Sequence, residues 1–237
     1  SLVGSEMCIR DRFTDVSMTF APQSKVDFQC NIPLYDYQEK AKDALVESGR
    51  GILQSAAGSG KTQIGIALAC EIGEKTLWLT HTRDLLLQSK SRAEQYMSSA
   101  LTGTITEGRV QIGKGITFAT VQTMCNLDLN RYRDTWGCVI VDECHRVAGT
   151  PTAVTQFSKV LSSLAARHKY GLSATVHRAD GMIAATYALL GKIAYQVPDE
   201  AVADKIMTVS VLPRPTQIGL SKEFLDTDGT IIYAKLI

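Results

Sequence analysis

From Leu34 onward, short runs rich in apolar and β-branched residues alternate with segments of helical length, and this alternation constrains the fold more than any other feature of the chain. The candidate strands are Gly51–Gln54, Thr76–Thr80, Ile116–Thr120, Cys138–Asp142, Tyr170–Ser173 and Met207–Leu212. Between them, apolar spacing and polar or glycine-bearing junctions predict helices at Tyr37–Glu47, Lys61–Ile72, Arg83–Ser98, Thr152–Ala165 and Asp180–Leu190. Such repetition demands an α/β fold, a central and mostly parallel sheet with helices on both faces. In sheets of this kind ligands bind outside the carboxyl ends of the strands, so the residues just after each strand are the ones to inspect for chemistry.

The chain has 237 residues, 45% of them hydrophobic, which is enough to bury a full core of this type. The alternating pattern occupies 34–198 as one domain, with 13–33 as a lead-in. Residues 1–12 (SLVGSEMCIRDR) show neither periodicity nor caps and are set aside as a non-native or disordered tail. After Pro198 the alternation weakens and Pro213 and Pro215 interrupt it, so 199–237 reads as a linker leaving the domain. Lysine and arginine number 25 against 24 acidic residues, so no global basic field exists and any polyanion contact must be a local surface. The cysteines (Cys8, Cys30, Cys70, Cys125, Cys138 and Cys144) form no C-x-x-C pair and sit mostly in apolar runs, which predicts buried thiols and no zinc site. No apolar stretch approaches the roughly 18–20 residues that cross a bilayer. A soluble, cytoplasmic chain without a membrane partner is the expectation.

Ser55-Ala56-Ala57-Gly58-Ser59-Gly60-Lys61-Thr62 follows a predicted strand and opens a predicted helix, the context in which a phosphate-loop pattern carries a mechanism. Gly58 and Gly60 let backbone N–H groups close around phosphate oxygens, and the helix N-terminus adds its positive dipole end. Lys61 is placed to reach the β- and γ-phosphates, and the Thr62 hydroxyl to hold Mg²⁺. The expected ATP-binding set is therefore Ala57, Gly58, Ser59, Gly60, Lys61 and Thr62. Ser55 stands where the general pattern has its first glycine.

Cys138-Val139-Ile140-Val141-Asp142-Glu143 is an apolar run ending in two carboxylates, so acidic groups emerge where a buried strand ends. Asp142 is suited to a magnesium ion, which takes one or two carboxylates, phosphate oxygens and waters. Glu143 is the neighbour placed to accept a proton from attacking water. Lys61, Asp142 and Glu143 form the candidate catalytic set.

Asp142-Glu143-Cys144-His145 resembles the D-E-x-H box of superfamily-two helicases, and Ser173-Ala174-Thr175 resembles their S-A-T motif. Tyr35-Asp36-Tyr37-Gln38 is similar to the upstream glutamine segment, Thr80-His81-Thr82-Arg83-Asp84-Leu85 to motif Ia, and Thr120-Val121-Gln122-Thr123 to the T-x-Q-T segment. Together they follow the family's order from Leu34 to about Gly181. Ser173 to Gly181 resembles the S-A-T-P-x-R-x-D-G run of the restriction-subunit and excision-repair type, with Val176 in place of the proline.

The resemblance implies a RecA-like P-loop NTPase domain that binds ATP and Mg²⁺, with Gln38 reading adenine. It implies that His145, Ser173 and Thr175 relay loss of the γ-phosphate to the nucleic-acid face. Thr80, Arg83, Thr120 and Gln122 are the candidate contacts to the phosphates of one strand, DNA in the leading reading and RNA in the alternative. Complete members of the family carry a second RecA-like domain whose Q-x-x-G-R-x-x-R arginines finish the nucleotide site, and that motif does not occur in this sequence. The expectation is the first motor domain of an ATP-dependent DNA helicase or translocase, a nucleic-acid-dependent ATPase that is nearly inactive without its second domain. A regulatory module that binds nucleotide or DNA without motor activity is the other reading.

Overall fold

Along Thr76–Thr80 (β2) every residue is buried, and successive side chains leave the backbone on opposite sides. Trp78 enters one apolar cluster while Leu77 and Leu79 enter another, so the strand is central and covered on both faces. Cys138–Asp142 (β6) divides in the same way, Cys138 and Ile140 against Val139 and Val141. The computed structural model describes residues 20–22, 25–28, 30–148, 151–175 and 183–202.

The remaining strands are β1 (Arg50–Gln54), β3 (Thr102–Thr106), β4 (Arg109–Gln111), β5 (Ile116–Thr120), β7 (His168–Ser173) and β8 (Ile193–Gln196). They join one sheet in the order β4-β3-β5-β2-β6-β7-β1-β8. Every pairing is parallel except the β3–β4 hairpin at one edge. The cluster around Trp78 is formed by the helices α1 (Asp36–Ser48), α2 (Lys61–Ile72) and α3 (Arg83–Glu94). The opposite cluster takes α4 (Val121–Cys125), α5 (Pro151–Ser163) and α6 (Ile183–Leu190). This is the expected α/β architecture, a mostly parallel sheet with helices on both faces.

Helix α2 is buried from Ile64 through Ala69, and it approaches the sheet closely enough that a methyl group on Gly65 would lie 2.7 Å from the Trp78 ring and 2.8 Å from Leu172. Part of the lead-in packs onto the domain: Phe28 is buried in the α1–α3 cluster, and the Val26 N–H donates to the Gly73 carbonyl.

Helix α3 ends at Glu94 rather than Ser98, because the chain breaks into a turn and Ser98 caps a short 3₁₀ segment, Ser99–Leu101. Two edge elements were not anticipated from the sequence. The β3–β4 hairpin is rich in threonine and glycine and its β4 is fully exposed, and the four-residue β8 has no buried residue. The expected strand Met207–Leu212, the tail 1–12 and the opening of the helix expected at Asp180 lie outside the described residues. Among the described cysteines, Cys138 and Cys144 are buried, whereas Cys30, Cys70 and Cys125 are half-buried. No helix among the described residues is long and apolar enough to cross a membrane.

Candidate functional site

Parallel register brings the motif residues into one row along the carboxyl ends of the strands. Gln54 of β1 pairs with Ser173 of β7, and Asp142 of β6 pairs with Leu172, one residue before Ser173. On the far side, Leu79 pairs with Val141, and Thr80 of β2 pairs with Thr120 of β5. The phosphate-loop segment, the S-A-T segment, the acidic pair and the two threonine-led segments therefore follow one another across neighbouring strands.

After β1 the chain turns through Gly58 and Gly60, at φ 79° and 81°, a left-handed conformation that glycine adopts without steric cost. The N–H groups of Gly58, Gly60 and Lys61 have no acceptor among the described residues, as an anion cradle at a helix N-terminus requires. Helix α1 fastens the loop, with the Tyr37 hydroxyl and the Gln38 amide each donating to the Ser59 carbonyl at 2.9 Å. Gln38 also accepts from the Tyr35 N–H at 2.9 Å and is fully buried, so in this structure it braces the loop. The Ser55 hydroxyl donates to the Ser59 hydroxyl at 2.6 Å, a brace that a glycine at position 55 would lack. Lys61 is largely buried, and its ammonium donates to the carbonyls of Ser55 and Ala56, both at 3.2 Å.

Asp142 is 7% exposed. Its Oδ1 accepts from the Glu143 N–H at 3.0 Å and its Oδ2 from the Ser89 hydroxyl of α3 at 3.2 Å. Burial raises its pKa above the usual carboxylate range, and repulsion from Glu143 adds to the rise; Ser89, the Glu143 N–H and Lys61 act against it. Glu143 takes φ 49°, a conformation that costs a side-chain-bearing residue roughly 1–2 kcal/mol. It brings the Glu143 carboxylate 3.2 Å from Nδ1 of His145.

His145 Nδ1 also lies 3.0 Å from Ser173 Oγ. The Ser173 hydroxyl donates to the Thr175 carbonyl at 2.7 Å and accepts from the Thr175 N–H at 3.3 Å. Since that hydroxyl proton is already committed, Nδ1 of His145 is the donor in its contact with Ser173. The Ser173 carbonyl accepts from the Ser55 N–H at 3.0 Å, so a continuous chain of hydrogen bonds runs from the acidic pair through the S-A-T segment to the start of the phosphate loop.

The donor set fits magnesium. One buried carboxylate and the Thr62 hydroxyl, half-buried on the first turn of α2, are hard oxygen ligands that leave positions for phosphate oxygens and water. No group of three or more His, Cys, Asp or Glu among the described residues forms a self-contained metal cage. Cys144 is buried under Gly171, and burial pushes its thiol pKa up, as do both neighbouring carboxylates, which keeps it in the inert thiol form.

The four residues expected at nucleic acid separate. Thr80 is fully buried and its hydroxyl donates to the Thr82 carbonyl at 3.0 Å, bracing the start of α3. Thr120 caps α4, accepting from the Thr123 N–H at 3.2 Å, and Gln122 is half-buried on that helix. Arg83 is exposed on the first turn of α3 and makes no ion pair among the described residues. Three residues that brace the site, Tyr37, Ser55 and Ser89, were given no such role from the sequence. Ser89 carried a signal, since it is polar on the face of α3 whose other buried residues are Leu86 and Ala93.

Residues 31–178 match the family described as the type III restriction enzyme, res subunit. The Halobacterium salinarum protein named as a DNA 3'-5' helicase, Rad25, is 32% identical over 175 residues, which cover 68% of this chain and 26% of that protein. The ATP-dependent RNA helicase L396, so named, of Acanthamoeba polyphaga mimivirus is 28% identical over 181 residues, 73% of this chain and 34% of that protein. This chain thus spans about a quarter to a third of the length of these relatives. Among solved structures, the UvsW helicase of bacteriophage T4 shares the fold with a TM-score of 0.61 at 22% identity, over 73% of this chain and 63% of that one. With residues 31–178, more than half of its length, matched, the chain belongs to the family described as the type III restriction enzyme, res subunit, and it shares its fold with the UvsW helicase structure.

Proposed function

We propose that this chain binds Mg·ATP at the row formed by the phosphate loop and the acidic pair, and that in the whole protein hydrolysis there drives movement along DNA. The observation that supports it best is the hydrogen-bond chain linking Asp142–Glu143, His145, Ser173 and Ser55, because it joins the groups suited to hydrolysis to the loop suited to phosphate. Lys61 leaves the Ser55 and Ala56 carbonyls to pair with the β- and γ-phosphates. Thr62 and Asp142 hold the magnesium ion, which neutralises charge on the phosphate oxygens when bound. Glu143 orients the attacking water and takes its proton. His145, Ser173 and Thr175 register the γ-phosphate, since their shared proton positions change when Glu143 changes partner.

DNA is favoured over RNA as the track by the relative named as a DNA 3'-5' helicase, the more similar of the two by identity; the relative named as an RNA helicase supports the second reading. Arg83 and Gln122, on the helices that follow the neighbouring strands β2 and β5, are the groups proposed to hold strand phosphates, and a second RecA-like domain is the proposed partner across the nucleotide. The test is equilibrium binding of a fluorescent ATP analogue to the chain with Mg²⁺ and with EDTA. Magnesium-dependent binding that Lys61→Ala abolishes supports the proposal; binding indifferent to Lys61 overturns it.

A further inference from the structure

We infer that Ser89 is a positioning residue for the magnesium carboxylate, holding Asp142 in its ligating orientation from the helix that carries Arg83. This rests on the reading of Asp142 as a magnesium ligand. The buried residues of α3 are Leu86, Ser89 and Ala93, one turn apart on the face that packs on the sheet. Alanine or leucine would satisfy packing there, whereas a hydroxyl in that layer costs free energy unless it finds a partner. Its partner is Oδ2 of Asp142, 3.2 Å away and 53 residues along the chain.

The contact fixes a carboxylate that otherwise turns about its terminal bond. With the Glu143 N–H on Oδ1 and Ser89 on Oδ2, both oxygens are held and the carboxylate plane is set. Each oxygen keeps a further lone pair, so the Ser89 bond leaves Asp142 free to ligate. Groups that hydrogen-bond a metal ligand in this way set ligand orientation, and their removal typically lowers metal affinity by about 10–100-fold. The contact also joins β6 to α3, so the magnesium carboxylate is tethered to the helix whose first turn bears Arg83, a proposed strand contact.

The experiment titrates Mg²⁺ into the full chain with a saturating fluorescent ATP analogue, for wild type, Ser89→Ala, Ser89→Cys and Ser89→Thr. Thermal unfolding in EDTA is followed alongside. Ser89→Ala and Ser89→Cys are expected to raise the half-saturating Mg²⁺ concentration about tenfold. Nucleotide binding in EDTA stays unchanged, and Ser89→Thr, which keeps the hydroxyl, stays within about threefold of wild type. A merely structural serine would instead lower the melting temperature and leave the Mg²⁺ midpoint in place. Midpoints within about twofold of wild type in both folded hydroxyl-free variants overturn the inference alone. Wild-type binding without any dependence on Mg²⁺ overturns the magnesium reading itself, and the inference with it.

Discussion

Asp142→Asn should stabilise the ligand-free chain. In the wild type a carboxylate that is 7% exposed sits next to Glu143, and burial followed by that repulsion raises its pKa. A raised carboxylate pKa means the folded state prefers the protonated form. Its contribution to stability is therefore fully present below the ordinary carboxylate range and is lost as pH rises through the raised value, so at neutral pH the charge is a burden. Asparagine is nearly isosteric and keeps both contacts, because its carbonyl accepts from the Glu143 N–H and its amide donates to a rotated Ser89 hydroxyl. Relief of one buried, incompletely paired charge is worth on the order of 1–2 kcal/mol, or roughly 3–6 °C for a domain of this size. Thermal unfolding followed by circular dichroism in EDTA at pH 7.5 and at about pH 4 measures it, with the advantage of Asp142→Asn shrinking at the lower pH. An Asp142→Asn variant that melts below wild type at pH 7.5, or an advantage that grows on acidification, would refute the reasoning.

Gly65→Ala should cost about 2 kcal/mol, read as a lower urea midpoint at unchanged slope, because the added methyl meets Trp78 and Leu172 at sub-contact distances. A midpoint equal to wild type would show that the α2–sheet spacing is slack. Arg83→Ala should weaken DNA binding and reduce the slope of log affinity against log salt by about 1, as loss of one phosphate contact requires. An unchanged slope would remove Arg83 from the interface, and fluorescence anisotropy at several salt concentrations gives the answer. Thr80→Val, by contrast, should leave DNA affinity within about twofold of wild type, since the buried hydroxyl of Thr80 faces the Thr82 carbonyl; a loss as large as that of Arg83→Ala would restore Thr80 as a direct contact.

The central strands were legible because β2, β5 and β6 are buried on both faces and so read as short runs of apolar and β-branched residues. The phosphate loop and the acidic pair were legible for a related reason: chemistry at strand ends is local in sequence, a turn of eight residues in one case and two consecutive carboxylates in the other. What connects them is not local. The bonds from Gln38 to Ser59, from Ser89 to Asp142 and from His145 to Ser173 span 21, 53 and 28 residues, and only the sheet order decides which strand ends meet. Thr80 shows what the sequence leaves open. Its position at a strand end suits a phosphate contact, but which side of the pleat faces inward and where the next turn puts its carbonyl are set by packing. The β3–β4 hairpin escaped because an exposed three-residue edge strand carries almost no apolar signal.

The claim at the centre of this account is that the nucleotide row and the nucleic-acid face are energetically joined. Fluorescence anisotropy of a labelled single-stranded oligodeoxynucleotide, titrated with the chain in the presence and absence of Mg²⁺ and a non-hydrolysable ATP analogue, tests it without requiring turnover. The account predicts that the analogue shifts DNA affinity by about fivefold or more, that DNA shifts analogue affinity by the same factor, and that Lys61→Ala removes both shifts. DNA affinity that is the same with and without a demonstrably bound nucleotide would contradict it.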